Sequence, residues 1–189
     1  MAHTYTSNLV HCVFSTQERR NSIPDPPRLW QYIGGIARQK KIVLLAAGGT
    51  ANHVHLFVGL PATLTLSKAV QEVKGNTSRW LNELRSGFAW QQGYSAFSVC
   101  QSQRQTVIDY IDGQTKHHAK WSFEQEYLTL LKKSGIAYDS RFVFGSVVPT
   151  GLGADLRASP ALKGWARRFR LAARDSNIPI HSASANSEI

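Results

Sequence analysis

Apolar residues recur along the chain with two different periods, and together these periods predict a fold of mixed helices and strands. β-Branched and aromatic residues dominate several short stretches, which is typical of strands. The predicted strands cover residues 4–14, 42–47, 52–60 and 94–100. Apolar positions spaced by three and four predict helices over residues 26–41, 66–84, 103–118 and 123–133. The pair Gly48 and Gly49 is predicted to end the second strand in a turn.

The order of these elements predicts a ferredoxin-like fold. The pattern β-α-β-β-α-β is that of an α+β, RRM-like antiparallel sheet, here followed by an appended helix that carries Tyr110. After Gly145 the chain becomes richer in Gly, Pro and Ser. We therefore predict one domain over residues 1–145 and a basic C-terminal tail over residues 146–189 with at most one short helix. Many activities occur on this fold, so the fold alone does not give the function.

Charge narrows the choice of partner. The chain of 189 residues has a formal net charge of +10, with 22 Lys and Arg against 12 Asp and Glu. Such an excess favours a polyanion, nucleic acid before an acidic membrane surface. The longest apolar run, residues 42–47, is far shorter than a membrane span, and residues 1–5 do not begin a secretory signal. We predict a cytoplasmic protein that does not bind membranes.

Two histidines in the third strand are the first candidates for chemistry. Because side chains alternate along a strand, His53 and His55 share one face, while Val54, Leu56 and Val58 face the helices. The two imidazoles are predicted to stand on the open face, roughly 6–7 Å apart along the strand, close enough to reach one metal ion. The alternative is a pair of ordinary surface histidines. His11 is expected to be a sheet-face histidine without a ligand role.

A second group of candidate residues lies on the predicted helix over residues 103–118, which follows the fourth strand. Tyr110 and Gln114 are four residues apart and share one helical face. Tyr110 lies beside the apolar stripe of this helix. It is therefore either a catalytic residue or a structural tyrosine that packs in the core. His117 and His118 follow. Because adjacent helical residues point in different directions, we expect them to be solvated or to contact phosphate.

These pieces occur in the order found in one known family. The matching segments include Val13-Phe14-Ser15-Thr16, His53-Val54-His55-Leu56, Lys74-Gly75-Asn76-Thr77-Ser78-Arg79, Trp90-Gln91-Gln92-Gly93-Tyr94 and Tyr110-Ile111-x-x-Gln114. The sequence resembles the HUH-type single-tyrosine transposases of small bacterial insertion sequences, including their relatives associated with repetitive extragenic palindromes (REP). The resemblance covers about residues 5–145 and does not extend into the tail.

The resemblance implies a mechanism, a cofactor and an assembly. His53, His55 and Gln114 correspond to the ligands of a divalent ion, Mg²⁺ or Mn²⁺, and Tyr110 corresponds to the nucleophile. Such enzymes cleave and rejoin single-stranded DNA at hairpin-containing sites through a 5′-phosphotyrosine intermediate, without ATP. They form homodimers by pairing their sheets, and the tyrosine helix of one subunit can complete the site of the other.

Basic and aromatic residues are the candidates for DNA contacts, since phosphates attract cations and unpaired bases stack on rings. The predicted phosphate contacts are Arg19, Arg20, Lys68, Lys74, Arg79, Arg104 and Lys116. The candidate stacking rings are Trp90, Tyr94 and Trp121, for which core packing is the alternative.

Two other functions remain open from the sequence. The chain could be a non-catalytic ferredoxin-like protein that binds single-stranded nucleic acid, or a domesticated protein that processes REP elements. An RNA-recognition sheet carries stacking aromatics on its central strands, and the corresponding face of the third strand offers only Phe57 beside the two histidines. A metal-dependent hydrolase of small molecules is disfavoured by the net charge.

Overall fold

A four-stranded antiparallel sheet with helices on both faces forms the fold. The computed structural model describes residues 5–139 and 143–144, which belong to one unit of the chain, Met1–Ser146. The strands are β1 (Leu9–Ser15), β2 (Val43–Gly49), β3 (His53–Gly59) and β4 (Ser95–Ser98). The helices are α1 (Pro26–Gln39), α2 (Leu66–Leu84), α3 (Arg104–Asp112), α4 (Gln114–His117) and α5 (Phe123–Lys133). The strand order β2-β3-β1-β4 confirms the predicted ferredoxin-like α+β fold.

Helices α1 and α2 cover the first face of the sheet, where the aliphatic positions of β3 pack as predicted. Val54, Leu56 and Val58 join Leu29 of α1 and Val70 of α2 in one core cluster. Both helices begin at capping side chains that accept a hydrogen bond from a backbone N–H, which satisfies a donor that the helix leaves free. These caps are Asp25, bonded to the N–H of Arg28, and Thr65, bonded to the N–H of Lys68.

The second face was predicted to be open, and this is wrong. Helices α3, α4 and α5 lie over it, and His53, His55 and Phe57 are completely buried. Helix α5 begins with a capping box formed by Ser122 and Gln125. Alternation along a strand shows which residues share a face, but it does not show whether another element covers that face. Burial on both sides places the two histidines in the interior, away from bulk water.

The predicted helix over residues 103–118 is broken at Gly113. Gly113 has φ −81° and ψ 2°, and its N–H bonds to the carbonyls of Asp109 and Ile111 at the end of α3. Because ψ near zero interrupts the helical ladder, α3 ends before Gly113 and α4 begins after it at Gln114, which is 1% exposed.

Gly48 and Gly49 continue strand β2 instead of forming the predicted turn. A Cβ atom on Gly48 would lie 2.4 Å from the carbonyl oxygen of Ile111, so glycine allows α3 to approach the sheet closely.

The predicted tail, residues 146–189, lies outside the described residues, so its extent stays a prediction. Among the helices that the structure describes, none is long and apolar enough to cross a membrane.

Candidate active site

A buried carboxylate, that of Glu126 on α5, is the centre of the polar cluster between the sheet and the helices. Its Oε2 atom lies 3.4 Å from His55 Nε2, 3.1 Å from His118 Nε2 and 3.9 Å from His53 Nε2. Each of these four residues offers one atom that could ligate a metal ion, and these four atoms all lie within 4.8 Å of one another. The structure thus brings together His53 and His55 of β3 with two residues that are remote in sequence.

The Nδ1 atoms of the three histidines, which face away from Glu126, lie within hydrogen-bonding distance of neighbouring groups. Nδ1 of His53 lies 2.7 Å from Asn52 Oδ1, and Nδ1 of His118 lies 2.9 Å from the carbonyl oxygen of Trp121. Because these oxygens only accept hydrogen bonds, each Nδ1 carries the proton and each Nε2 presents a lone pair. Nδ1 of His55 lies 2.9 Å from Nε2 of His11, a buried partner on β1.

This arrangement of donors fits a bound cation. His55 Nε2, His118 Nε2 and Glu126 Oε2 are buried and lack a hydrogen-bond partner within the described part of the chain. Unpaired buried polar groups are costly, and the lone pair on His118 Nε2 cannot satisfy the carboxylate oxygen that it faces. A divalent cation accepts such donors, so the residues could hold one.

The side chains of Tyr110 and Gln114 reach the same carboxylate. The Tyr110 hydroxyl donates a hydrogen bond to Glu126 Oε1, and Gln114 Nε2 donates to the same oxygen at 2.8 Å. Gln114 Oε1 lies 3.4 Å from His53 Nε2, on the side of the histidine cluster. All four predicted site residues, His53, His55, Tyr110 and Gln114, therefore lie together, and they do so within a single chain.

Burial sets the protonation of the cluster. It lowers the pKa of His53 to about 3, with the neighbouring His55 and His118 adding to the effect, so this imidazole is neutral at pH 7. Burial also raises the pKa of the Tyr110 hydroxyl well above its usual value, and its hydrogen bond to Glu126 adds to this. Burial alone would raise the pKa of Glu126, but hydrogen bonds and the charge interaction with His55 lower it by more. The cluster therefore combines an ionised carboxylate with a neutral tyrosine.

Two of the residues predicted to contact DNA bind other groups of the same chain. Arg19 Nε lies 2.8 Å from Glu124 Oε1. Lys74 Nζ donates to the carbonyl oxygens of Gln91 and Gly93 at 2.7 and 2.6 Å, and burial lowers its pKa to about 8. These two residues join separate segments of the fold.

The other predicted DNA contacts lie at the surface. Arg20 and Lys68 form exposed ion pairs with Glu18 and Glu72. The remaining three, Arg79, Arg104 and Lys116, are exposed, and no ion pair engages them within residues 5–139 and 143–144. The structure does not test their role, so DNA contact by this set stays a prediction.

Glu126 and His118 were missed by sequence reasoning. Glu126 lies three residues after Phe123 on the buried stripe of α5, and an acidic residue on an apolar stripe is a signal that could have found it. His118 is predicted to be solvated or to contact phosphate, whereas the structure places it against Glu126. His117 and His118 do diverge, but they approach different oxygens of one carboxylate, with His117 Nε2 3.6 Å from Oε1.

Comparison with known proteins identifies the family. The sequence model of the IS200-like transposases matches residues 4–114, more than half of the chain and all four predicted site residues. The chain belongs to this family. Membership makes it a transposase, an enzyme that transfers DNA strands, and makes DNA its partner. Glu126, His118 and Trp121 of the transposase lie outside the matched residues.

Two solved structures resemble the transposase. One is described as the REP-associated tyrosine transposase bound to a REP hairpin; it is 15% identical, with a TM-score of 0.50, and 82% of this chain and 98% of that chain are covered. The other is a candidate transposase from Deinococcus radiodurans, 22% identical, with a TM-score of 0.48 and coverage of 60% and 96%. The first likeness shows a shared fold. A search among curated proteins found no match.

Proposed function

We propose that this transposase cleaves and rejoins single-stranded DNA through a covalent bond between Tyr110 and a 5′ phosphate. The observation that carries the proposal is the hydrogen bond from the Tyr110 hydroxyl to Glu126, because the same carboxylate faces His53 and His55. A tyrosine that is only packed in the core needs no such neighbours. Its hydroxyl lies beside the donors that fit a cation, which is where a nucleophile for a phosphodiester would be needed.

We assign the cation site to the imidazoles of His53, His55 and His118 and the oxygens of Glu126 and Gln114. Mg²⁺ or Mn²⁺ is the ion we propose, because it would act on phosphate as a Lewis acid. Outside the site, Asn52 and His11 hold the rings of His53 and His55 through their Nδ1 atoms. Such outer partners orient the ligands of metal sites.

The proposed step conserves phosphodiester bonds. The Tyr110 oxygen forms a bond to phosphorus while the bond from phosphorus to the 3′ oxygen breaks, and the 3′ oxygen leaves as a hydroxyl. The proton that Tyr110 loses balances the proton that the 3′ oxygen gains, so the step changes neither the number of phosphodiester bonds nor the number of protons. Attack by another 3′ hydroxyl reverses the step and joins strands, so no ATP is consumed. The high pKa of Tyr110 keeps its hydroxyl neutral until DNA is in place.

Hairpin-containing DNA is the substrate class we propose. The solved relative that shares the fold is described as bound to a REP hairpin, and the positive charge of this chain suits a polyanion. Whether the enzyme mobilises an element or processes REP sequences as a domesticated protein does not change the chemistry at Tyr110.

A homodimer is also part of the proposal. Its support is the family resemblance and the exposure of strand β2 at the edge of the sheet, where Val43 is an exposed apolar residue. Since Tyr110 reaches Glu126 of its own chain, each subunit holds a full set of site residues. Light scattering should give twice the monomer mass, and a fully active monomer at micromolar concentration would contradict the dimer.

Tyr110→Phe tests the chemistry. This variant removes one oxygen and little packing, so the protein should fold and bind DNA. It should not cleave a labelled hairpin-bearing oligonucleotide taken from the DNA that flanks the gene, and it should not form the covalent protein–DNA band that wild type gives on a denaturing gel.

Tyr127→Phe is the matched control. The Tyr127 hydroxyl bonds to Ser95, away from the histidine cluster, so this variant should keep the covalent band. A covalent band that persists in Tyr110→Phe would overturn the assignment of the nucleophile.

A further inference from the structure

The exposure of the ring side chains increases stepwise from the buried cluster to the surface. The side chains of His53 and His55 are completely buried, that of His118 is 11% exposed and that of His117 is 29% exposed. Trp121, a large apolar residue, is 52% exposed. His117 and Trp121 therefore mark a side on which the cluster borders solvent, and a strand could approach Tyr110 from there.

The ring of Trp121 is connected to the nucleophile through one other ring. Its plane lies within 11° of the plane of His117, with ring centroids 6.4 Å apart. His117 in turn meets the edge of Tyr110 at 5.5 Å. A residue buried for packing would be covered on both faces, whereas Trp121 leaves about half of its surface in water. Trp90, another of the candidate stacking rings, packs instead against Phe14 and Phe88.

Backbone hydrogen bonds fix the position of Trp121. Its N–H donates to the carbonyl of His117 at 3.1 Å, and its own carbonyl accepts from His118 Nδ1 at 2.9 Å. The segment that presents the ring is thus joined to the imidazole that faces Glu126. On the side of Trp121 both bonds use main-chain atoms, so both can still form when the indole side chain is replaced.

The surroundings of the ring favour a nucleic-acid strand as its occupant. Lys116 and Lys120 lie on the same segment, both exposed and without an ion pair in the described residues. Cations beside an exposed aromatic ring form the usual surface for single-stranded DNA, where phosphates contact the cations and bases stack on the ring.

From these contacts we infer that Trp121 is a stacking platform for one unpaired nucleobase of the strand that enters the Tyr110 site. The inference rests on the proposed function, because it places the base next to the scissile phosphate. It adds a binding residue that recognises the flat face of any base, so it selects unpaired over paired DNA and does not read sequence.

The test compares two strands of equal length and charge, a fluorescein-labelled oligothymidylate and the same strand of abasic sugars. Dissociation constants are measured by fluorescence anisotropy at one salt concentration. Trp121→Ala should weaken the binding of oligothymidylate by about 5- to 150-fold, the range for loss of one stacked base. It should leave the binding of the abasic strand unchanged, because no base is present to stack. Trp121→Phe keeps an aromatic face and should retain most of the affinity.

Tyr138→Ala is the matched control, since it removes another exposed ring, and it should not change the ratio of the two constants. If Trp121→Ala weakened the binding of both strands equally, or weakened the binding of neither, the role of Trp121 as a stacking platform would be refuted. The comparison needs no cleavage, so its failure is distinct from that of the proposed function. A wild type that shows the expected ratio but forms no Tyr110 adduct would refute the chemistry alone.

Discussion

At the scale of single residues, Glu126 does two things in the site. One oxygen accepts hydrogen bonds from Tyr110 and Gln114, and the other faces three imidazole nitrogens. Without a cation, the Nε2 lone pairs of His53 and His118 face the carboxylate unfavourably in a dry interior. The geometry therefore lowers the stability of the empty site and favours the binding of an ion, which stabilises the folded state by RT ln(1 + c/Kd), where c is the concentration of the ion.

Glu126→Gln should separate these effects. The new amide can donate to an imidazole Nε2, so the protein without metal should be as stable as wild type or more stable. The rise in melting temperature that Mn²⁺ gives wild type should be lost, because a charged ligand is gone. Thermal unfolding with and without Mn²⁺ measures both. Glu124→Gln changes an acidic residue of α5 that pairs with Arg19, and it should keep the Mn²⁺ response. A full response in Glu126→Gln would exclude Glu126 as a ligand.

At the scale of elements, the site depends on how closely α3 approaches the sheet. Gly48 permits this contact, since Ile111, at the end of α3, is packed against the strand with Ala46 and Phe57. The break at Gly113 then allows Gln114 to enter the interior. Helix α5 completes the cluster with Glu126. The distances around the Glu126 carboxylate therefore depend on how the sheet, the segment of α3 and α4, and helix α5 pack together.

Gly48→Ala should displace α3. A Cβ atom 2.4 Å from the Ile111 carbonyl forces backbone to move, and overpacking of this kind costs about 1–3 kcal/mol of unfolding free energy. Cleavage should fall as well, because Tyr110 moves with α3. Urea unfolding measures the first effect.

Gly35→Ala provides the comparison, since a Cβ there meets nothing within 4 Å in the middle of α1, and it should stabilise the protein by about 0.5–1 kcal/mol. If the two variants were equally stable, close approach of α3 would not be the reason for glycine at position 48.

At the scale of the whole molecule, charge sets the affinity for DNA. The net charge of +10 acts on any polyanion, and several basic residues already engage carboxylates, as Arg19 does with Glu124 and Lys68 with Glu72. We therefore expect phosphate contacts from exposed cations that form no ion pair within the described residues, such as Arg79, Arg104 and Lys116. In the proposed function these contacts would position the strand, while the chemistry would take place at the buried cluster.

Binding of single-stranded DNA should weaken steeply with salt. Each phosphate contact releases a counterion, so log K should fall with log salt with a slope of about −0.7 per contact. Replacing Arg79, Arg104 and Lys116 by Gln together should flatten the slope measured by anisotropy. Arg38→Gln, on α1, is a control for general loss of charge. A slope that is flat in wild type would mean that the basic surface does not bind the strand.

The resemblance to the single-tyrosine transposases joined His53, His55, Tyr110 and Gln114 into one candidate site. The sequence pattern alone determined the order of the elements, the α+β class and the two separate pairs, His53 with His55 and Tyr110 with Gln114. It could do so because helical and strand periods, and the spacing within a motif, are local properties of the chain. The extents of α2 and α5 agree with the predicted ranges for the same reason.

Only the tertiary structure decided what surrounds these residues. Whether the second face of the sheet is covered, which carboxylate meets the imidazoles, and whether Arg19 or Lys74 is free for DNA depend on contacts between segments far apart in sequence. Glu126 is 71 positions after His55 in the chain and 3.4 Å from it in space. Local patterns carry no information on such pairs, because packing brings them together only when the helices close over the sheet.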